Sequence, residues 1–418
     1  MTPQTFSLIF AFALLASTGL RLWLDLRHLR HVNAHRERVP EDFVGRIELA
    51  DHRKAADYTS AKLRLGFAET LVDAVLLVLL TLGGLLALID DSLRARLGSG
   101  HLQGLALFAA AGLIGFAVGL PASLYRSFVI EERFGFNKLT WKLWLADLAK
   151  GTLLTVAIGG PLLYAVLWLM DAMGSRWWLY VWIVWLATNL LLLFIYPTVI
   201  APLFNKFTPL EDAALRARIE ALLARCGFAS SGLFVMDGSK RSAHGNAYFT
   251  GFGAARRIVF FYTLLEKLAP EEIEAVLAHE LGHFRHRHVA KRIALSSALS
   301  LAFLWLLGQL IDQPWFYAGL GVGAGDTAAS TAMGLLLFSM VLPVFLFPLA
   351  PLTSALSRKH EYEADAYAAQ QTRAADLITA LVKLYRDNAA TVTPDPLHSL
   401  FHDSHPPASQ RIARLNHA

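Results

Sequence analysis

The sequence predicts an all-α membrane protein that carries a small α+β domain on one side of the bilayer. Of its 418 residues, 55% are hydrophobic and only 17% are charged, whereas a soluble domain averages about 25% charged residues. Seven apolar stretches are long enough to cross a bilayer as helices. Two long polar segments, 205–292 and 357–418, lie outside those stretches. The single cysteine, Cys226, excludes an intrachain disulfide and a cysteine-rich metal site.

Each of the seven predicted spans has roughly the 20 residues that a helix needs to cross the hydrocarbon core. They cover residues 6–24, 65–89, 102–125, 143–170, 177–204, 293–311 and 331–352. No positively charged segment precedes the first span, so we expect a retained helix rather than a cleaved signal peptide. The expected organisation is spans one to five in 1–204, a first polar segment in 205–292, spans six and seven in 293–356, and a C-terminal segment in 357–418.

Lysine and arginine alternate between rich and poor loops along the chain. The loops 27–64 and 126–142 contain nine and four of them, and the loop before residue 293 contains more than ten. The intervening loops 90–101, 171–176 and 312–330 contain two, one and none. By the positive-inside rule, the N-terminus lies outside, and both polar segments and the C-terminus are cytoplasmic. This distribution explains the basic residues better than nucleic-acid binding does.

The segment from Pro270 to His283 carries a metal-binding motif on a predicted helix. Pro270 and the acidic residues that follow it suit the first turn. His279 and His283 are four residues apart, so both imidazoles face one side and can hold one Zn²⁺ ion per chain. Glu280 then lies beside the open coordination position and can act as the general base that activates water. The alternative is an ordinary helix with solvated histidine and glutamate side chains.

A catalytic zinc needs a third protein ligand. His286 and His288 are close in sequence to the motif. However, a straight helix carries residue i+7 about 10 Å along its axis from residue i, which is too far to complete a tetrahedron. We therefore expect both histidines to be surface residues beside Arg285 and Arg287.

The segment 357–368 offers better candidates for the third ligand, on a predicted helix. Glu361 and Asp365 are four residues apart and share a face. Glu361 can bind the metal, while Asp365 can accept a proton from a ligand histidine and fix its tautomer. Glu363 points elsewhere on the helix, and we expect it to be solvated. The residues alone do not rank His360, Glu361 and Glu363.

The segment around Glu361 resembles the Glu-(Phe/Tyr)-x-Ala-Asp element of the type I CAAX prenyl proteases. These are integral-membrane gluzincins that remove a tripeptide behind a prenylated cysteine. Four further segments are similar to that family, namely 128–137, 202–207, 237–252 and 404–407. The resemblance covers nearly the whole chain, which is identified as a bacterial-type member. It implies seven membrane helices enclosing a water-filled chamber, a zinc site at the cytoplasmic end, Glu361 as third ligand and Asp365 as partner of a ligand histidine.

Two further site assignments accompany this resemblance. Asn246, Ala247 and Tyr248 predict a β-strand that opens a hairpin. In the family, this strand resembles an edge along which the substrate lies extended, paired as an added strand; the alternative is a plain structural hairpin. His405 can donate a hydrogen bond to the oxyanion of the tetrahedral intermediate, or it is an ordered loop histidine.

The predicted function is a zinc-dependent membrane endopeptidase of the bacterial inner membrane. Its expected partners are the lipid bilayer and a peptide or protein substrate, prenylated or membrane-associated, and no nucleic acid. One alternative is a general quality-control protease for membrane proteins, similar to the heat-shock membrane metalloproteases, which have fewer spans. The other is a non-catalytic seven-helix transporter or receptor that merely contains the motif, and bound zinc separates this from the enzymes.

Overall fold

Long helices make up most of the chain. The structure is a computed structural model that describes residues 1–228, 230, 232–244, 247–250 (backbone only), 257–323 and 331–417. The first half contains α1 (Pro3–Ala34), α2 (Leu49–Leu80), α3 (Leu85–Leu97), α4 (His101–Tyr125), α5 (Glu131–Arg133), α6 (Trp141–Leu154), α7 (Gly160–Ala172), α8 (Trp177–Ile195) and α9 (Ala201–Phe204). The next part contains β1 (Phe207–Pro209), α10 (Ala213–Arg225), β2 (Gly232–Met236), β3 (Ala247–Thr250), β4 (Arg257–Phe261), α11 (Tyr262–Lys267) and α12 (Pro270–Arg285). The remainder contains α13 (His288–Leu310), α14 (Pro314–Ala318), α15 (Thr331–Leu346), α16 (Ala350–Gln371), α17 (Ala374–Asp387), α18 (Pro396–His402) and α19 (Ala408–Leu415).

Seven helical units in the described part of the chain have the length and apolar character of membrane spans. Six are continuous: Pro3–Ala34, His101–Arg133, Trp141–Ala172, Gly174–Phe204, His288–Leu310 and Thr331–Gln371. The seventh is the bent pair formed by α2 and α3. The predicted all-α class and the predicted number of spans are therefore confirmed.

The second span is bent, so the prediction of one continuous span over 65–89 is wrong. Its two helices, α2 and α3, form an angle of 51°. Gly84 adopts a left-handed conformation with φ of 72°. A Cβ atom on Gly83 would lie only 2.8 Å from the carbonyl oxygen of Leu79. Two consecutive glycines thus permit a turn that residues with side chains resist.

The spans contact their neighbours in a ring, and the last span also contacts two spans across it. Helix α1 contacts α2, α2 contacts α4, and the ring continues through α7, α8, α13 and α15 back to α1, while α15 also packs against α4 and α7. In a packed bundle, one face of each helix would be buried along its whole length. Here the buried residues of α4 all lie between Gln103 and Leu107, those of α8 are Trp177 and Val181, and α6 has none. Helices α4 and α8 are therefore packed only at one end, which fits spans that enclose a chamber towards the other.

A small mixed sheet forms in the first polar segment. Its strand order is β1-β2-β4-β3. Strands β2 and β4 are parallel, and β1 and β3 pair with them in antiparallel fashion on the two sides. The predicted hairpin is present as β3 and β4, and within the described residues β3 is an edge strand. Asn246 and the connection 251–256 lie outside the described residues.

One hydrophobic core joins the two polar segments that the last two spans separate in sequence. It contains Ile219 and Ile258 from the first segment and Ile378 and Ile412 from the second. Helix α12 packs against both α16 and α17 in this core. Because apolar burial stabilises this contact, the motif helix and the helix that carries Glu361 are held side by side.

An ion pair fastens this domain to the spans. Arg241, which precedes β3, donates two hydrogen bonds of 2.7 Å to the carboxylate of Asp147 on α6. The same guanidinium donates to the side-chain oxygen of Asn205 at 2.7 Å. Such bidentate pairing fixes orientation as well as distance, so the sheet is anchored at the edge of the chamber.

Candidate metal centre

Helix α12 carries the two motif histidines. It begins at Pro270, and the Glu272 carboxylate accepts a 2.7 Å hydrogen bond from the backbone N–H of Ala269, which satisfies one of the free donors at the helix start. His279 and His283 follow one turn apart, and only 7% of His279 is exposed. The two side chains therefore point from one face of the helix into the domain.

Gly282 allows α12 and α16 to approach closely. A Cβ atom at this position would lie 2.8 Å from the Cα atom of Ala364, closer than non-bonded carbon atoms can pack. Ala364 itself is fully buried. The small residues at this crossing bring the backbone of α16 near enough for its carboxylates to reach both histidines.

The three predicted metal ligands converge. The Nε2 atoms of His279 and His283 are 3.3 Å apart. Nε2 of His279 lies 3.4 Å from Oε2 of Glu361, and Nε2 of His283 lies 3.4 Å from Oε1. This set is one of the groups within the described residues that can hold a metal ion. His360 and Glu363, the competing candidates for third ligand, belong to a separate group.

One oxygen of Glu361 lacks a hydrogen-bond donor. Its Oε2 atom is buried and accepts no hydrogen bond from the described part of the chain. The Nδ1 atom of His405 lies 2.7 Å away, but without the alignment of a hydrogen bond. A buried carboxylate oxygen in this condition is costly unless a cation binds it. The donor set therefore fits a metal ion.

Glu280 lies beside these ligands and is only partly exposed. Burial raises the pKa of Glu280 above its ordinary value, the nearby Glu361 adds to the rise, and His279 opposes it. Its side chain makes no hydrogen bond or ion pair with any described residue. A carboxylate next to a metal position and without a fixed partner is available to accept a proton from water.

Asp365 and a second charged residue, Arg411, hold the first histidine. The Oδ1 atom of Asp365 accepts a 2.8 Å hydrogen bond from Nδ1 of His279. Arg411 donates from Nε to the other carboxylate oxygen at 2.8 Å. Burial disfavours protonation of His279, but the hydrogen bond to Asp365 and the nearby carboxylate of Glu361 outweigh it and raise the pKa of His279 to about 9. Asp365 thus fixes the ring so that Nε2 faces Glu361.

Comparison with known proteins identifies the family. The description "CAAX prenyl protease N-terminal, five membrane helices" matches residues 28–206, and "Peptidase family M48" matches residues 209–418. The chain belongs to peptidase family M48. CAAX prenyl protease 1 of Saccharomyces cerevisiae is 37% identical over 78% of this chain and 74% of its own length. The Arabidopsis thaliana homolog is 35% identical over 94% and 93%. The crystal structure of S. mikatae Ste24p matches with a TM-score of 0.92 and 32% identity, covering 98% of this chain and 99% of that one.

Family membership makes this M48 protein a membrane-embedded metalloendopeptidase. The predicted resemblance to the type I CAAX prenyl proteases is confirmed, and so is the predicted enzyme class. The non-catalytic transporter or receptor, which was the alternative from another class, is wrong.

The remaining predicted site residues that the structure describes lie in the loop before α19 and in the edge strand β3. His405 is 61% exposed, although its ring reaches Glu361. Ala247 and Tyr248 lie in the edge strand β3, which pairs with Phe260 and Val259 of β4. Asn246 is outside the described residues.

The expectation that His288 is a surface residue is wrong. Only 1% of it is exposed, and its Nε2 atom lies 2.8 Å from Oε2 of Glu363. Glu363 is therefore not simply solvated, since it accepts this bond. The straight-helix assumption failed because α12 ends at Arg285 and a new helix starts at His288.

Sequence reasoning missed Arg411 in this M48 peptidase, although the chain carries a signal for it. The buried residues of α19 are Ala408, Arg411, Ile412 and Leu415, which are spaced as one helix face. An arginine on the apolar face of an amphipathic helix needs a buried partner of opposite charge. That pattern points to a carboxylate in the core, and Asp365 provides it.

Replacing Arg411 with methionine is expected to lower the thermal unfolding temperature of the enzyme and to weaken metal binding. Removal of one partner of a buried ion pair costs about 3–5 kcal/mol, because the remaining charge, here on Asp365, is uncompensated. Arg414→Met is the matched control, since this exposed residue on the same helix only stacks on Tyr362, 3.6 Å from its ring centroid. Equal unfolding temperatures for both variants and the wild type would contradict the assigned role.

Proposed function

We propose that this M48 peptidase is a zinc enzyme and that His279, His283 and Glu361 hold one Zn²⁺ ion per chain. Zinc binds nitrogen and oxygen ligands at about 2.0–2.2 Å in a tetrahedron, so two ligand atoms lie about 3.3–3.5 Å apart. The observed separations of 3.3 and 3.4 Å match that spacing. Two imidazoles with one carboxylate suit zinc better than magnesium or calcium, which prefer oxygen ligands. The convergence of the two imidazole nitrogens and the Glu361 carboxylate is the observation that carries the proposal.

The chain's own residues provide the proton transfers. A bound zinc ion supplies a Lewis acid that acidifies water and polarises a carbonyl group. Glu280 accepts the proton of the attacking water and later delivers it to the leaving amine. Asp365 keeps the Nδ1 proton of His279 in place, so that Nε2 remains free to bind. His405, which reaches the centre from the loop before α19, donates a hydrogen bond to the developing oxyanion.

The substrate we propose is the C-terminal tail of a prenylated, membrane-associated protein. The relatives that match most of this chain are named CAAX prenyl protease 1, and the similarity includes the membrane helices. An extended tail can pair through its backbone with strand β3, at Asn246, Ala247 and Tyr248, as an added strand. The chamber beside this domain provides apolar surface for a lipid group.

The orientation we propose places the zinc site and the C-terminus in the cytoplasm and the N-terminus outside, in a bacterial inner membrane. The alternation of lysine- and arginine-rich loops supports this orientation. Proteins that carry a C-terminal lipid are anchored at a membrane surface. A site at the level of the membrane surface is suited to such a tail.

Cleavage of matched peptides tests the proposal. The purified enzyme would be given one tail peptide in farnesylated and unfarnesylated form, with and without a zinc chelator. We expect one zinc per chain by elemental analysis, loss of cleavage with the chelator and recovery on adding zinc. The prenylated peptide should be cleaved at least about tenfold more efficiently, the ratio that 1.4 kcal/mol of additional binding produces.

Three results would contradict parts of the proposal. Active protein without zinc, or activity that requires another metal, would reject zinc as the cofactor. Equal cleavage of both peptides would reject prenyl recognition and favour general proteolysis of membrane proteins. No cleavage of either peptide by zinc-loaded enzyme would reject the tail as substrate.

A further inference from the structure

A second cluster of titratable side chains lies next to the proposed zinc site. It consists of His288, His360 and Glu363. His288 is buried, and its Nε2 atom lies 2.8 Å from the carboxylate of Glu363. The rings of His288 and His360 are stacked with centroids 4.0 Å apart and planes inclined by 14°. The proton transfers of the proposed reaction use none of these groups.

A backbone turn connects this cluster to the metal centre. The Nδ1 atoms of His283 and His288 are 2.9 Å apart. In a continuous helix, a residue five positions on would lie about 140° around the axis, so the two side chains would diverge. Arg287, between α12 and α13, has φ of 56°, a left-handed conformation that costs about 1–2 kcal/mol for a residue with a side chain. This turn directs His288 back to His283.

The directions of the hydrogen bonds follow from the metal centre. His283 faces His279 and Glu361 with Nε2, and a nitrogen that binds a metal carries no proton. The proton of the neutral ring is therefore on Nδ1, which donates to Nδ1 of His288. Nδ1 of His288 must then accept, so its own proton is on Nε2, which donates to Glu363. Each link has one donor and one acceptor.

We infer that His288 and Glu363 are positioning residues that fix the tautomer and ring orientation of the zinc ligand His283. The inference rests on the proposed zinc site. Each histidine ligand would then have a carboxylate that fixes its tautomer. Asp365 holds His279 directly, whereas Glu363 acts on His283 through His288. Outer partners of this kind raise the basicity of a ligand histidine and strengthen metal binding.

The stacked geometry argues against a second metal ion in this cluster. A metal lies close to the plane of each imidazole that binds it. The rings of His288 and His360 occupy nearly parallel, separate planes, so one ion cannot lie in both. The hydrogen bond from His288 to Glu363 also occupies the nitrogen and the carboxylate oxygen that such an ion would need.

Four single variants and one double variant test the inference through zinc affinity, measured by competition with a chromophoric chelator. His288→Leu removes the acceptor and should weaken zinc binding by about 10–100-fold. His288→Asn should weaken it less, because the amide oxygen can replace Nδ1 as acceptor. Glu363→Gln should weaken binding in the wild-type background and have no further effect in His288→Asn, where the link is already cut. His286→Asn is the matched control, since its side chain makes only ring contacts, at 5.5 Å with His288 and at 6.3 Å with Tyr367.

A second measurement separates positioning from general destabilisation. In protein loaded with Co²⁺ instead of zinc, the visible absorption bands should shift in His288→Leu and Glu363→Gln but not in His286→Asn, because they report ligand geometry. Unchanged zinc affinity in Glu363→Gln, or an equal effect of that substitution in the His288→Asn background, would overturn the inference. A second zinc equivalent that His360→Asn abolishes would also overturn it. Wild-type enzyme that binds zinc but cleaves no tail peptide would reject the proposed function, while the affinity differences would still support the positioning chain.

Discussion

Glu280→Gln is expected to lower turnover by about 100- to 10,000-fold, the range that a positioned general base contributes, while zinc content stays at one per chain. The amide has nearly the shape of the carboxylate but cannot accept the proton of the attacking water. Glu280 makes no hydrogen bond with a described residue and faces a centre formed by other side chains. Its replacement should therefore leave the fold and the metal ligands in place.

Single-turnover cleavage of the tail peptide and elemental analysis on the same preparation would measure this effect. Glu271→Gln is the matched control, because Glu271 lies on the same helix but pairs with Arg218 at the surface, at 2.7 Å. The control should retain full activity and zinc. Residual activity above about one per cent in Glu280→Gln would show that another group acts as base.

The number of spans could be predicted because it depends on a property of local sequence. An apolar helix satisfies its own backbone hydrogen bonds, so its length and hydropathy mark it as a span without knowledge of its neighbours. The bend at Gly83 and Gly84 shows the limit of this reasoning. Hydropathy continues across these glycines, whereas the turn depends on backbone conformation and on the close contact with Leu79.

The two histidines of the motif could be placed for a similar reason. Their spacing of four residues decides their common face wherever the helix packs. Spacing could not identify the third ligand in the same way, because three candidates, His360, Glu361 and Glu363, lie within four residues on another helix. Only the contact between α12 and α16, which Gly282 permits, determines which of these side chains faces the histidines.

The residues that support the ligands were the hardest to predict. His288 is directed inward by the left-handed turn at Arg287, and arginine carries no sequence preference for such a conformation. Arg411 reaches Asp365 through a helix that follows more than forty residues later in the chain. Both contacts depend on tertiary docking, although the position of Arg411 on an apolar helix face was a readable signal.

Glu361→Ala is expected to weaken zinc binding by more than the roughly 10–100-fold that loss of an outer partner costs, and to abolish cleavage at micromolar zinc. The substitution leaves two imidazoles, 3.3 Å apart at Nε2, without a negatively charged ligand. Glu361→Gln should be intermediate, because its amide oxygen can bind a metal but carries no charge. Titration of metal-free protein with zinc against a chelator would rank the three proteins.

Gln370→Ala is the matched control for Glu361→Ala, since Gln370 lies exposed on the same helix, away from the metal centre. Its zinc affinity should equal that of the wild type.

If Glu361→Ala also bound zinc as tightly as the wild type, the third ligand would have to be another donor near the two histidines. His405 would then be that donor, because its Nδ1 atom lies 2.7 Å from the carboxylate that the substitution removes. The double variant with His405→Ala separates these cases: loss of zinc only in the double variant would reject Glu361 as the necessary ligand, whereas loss in Glu361→Ala alone assigns it.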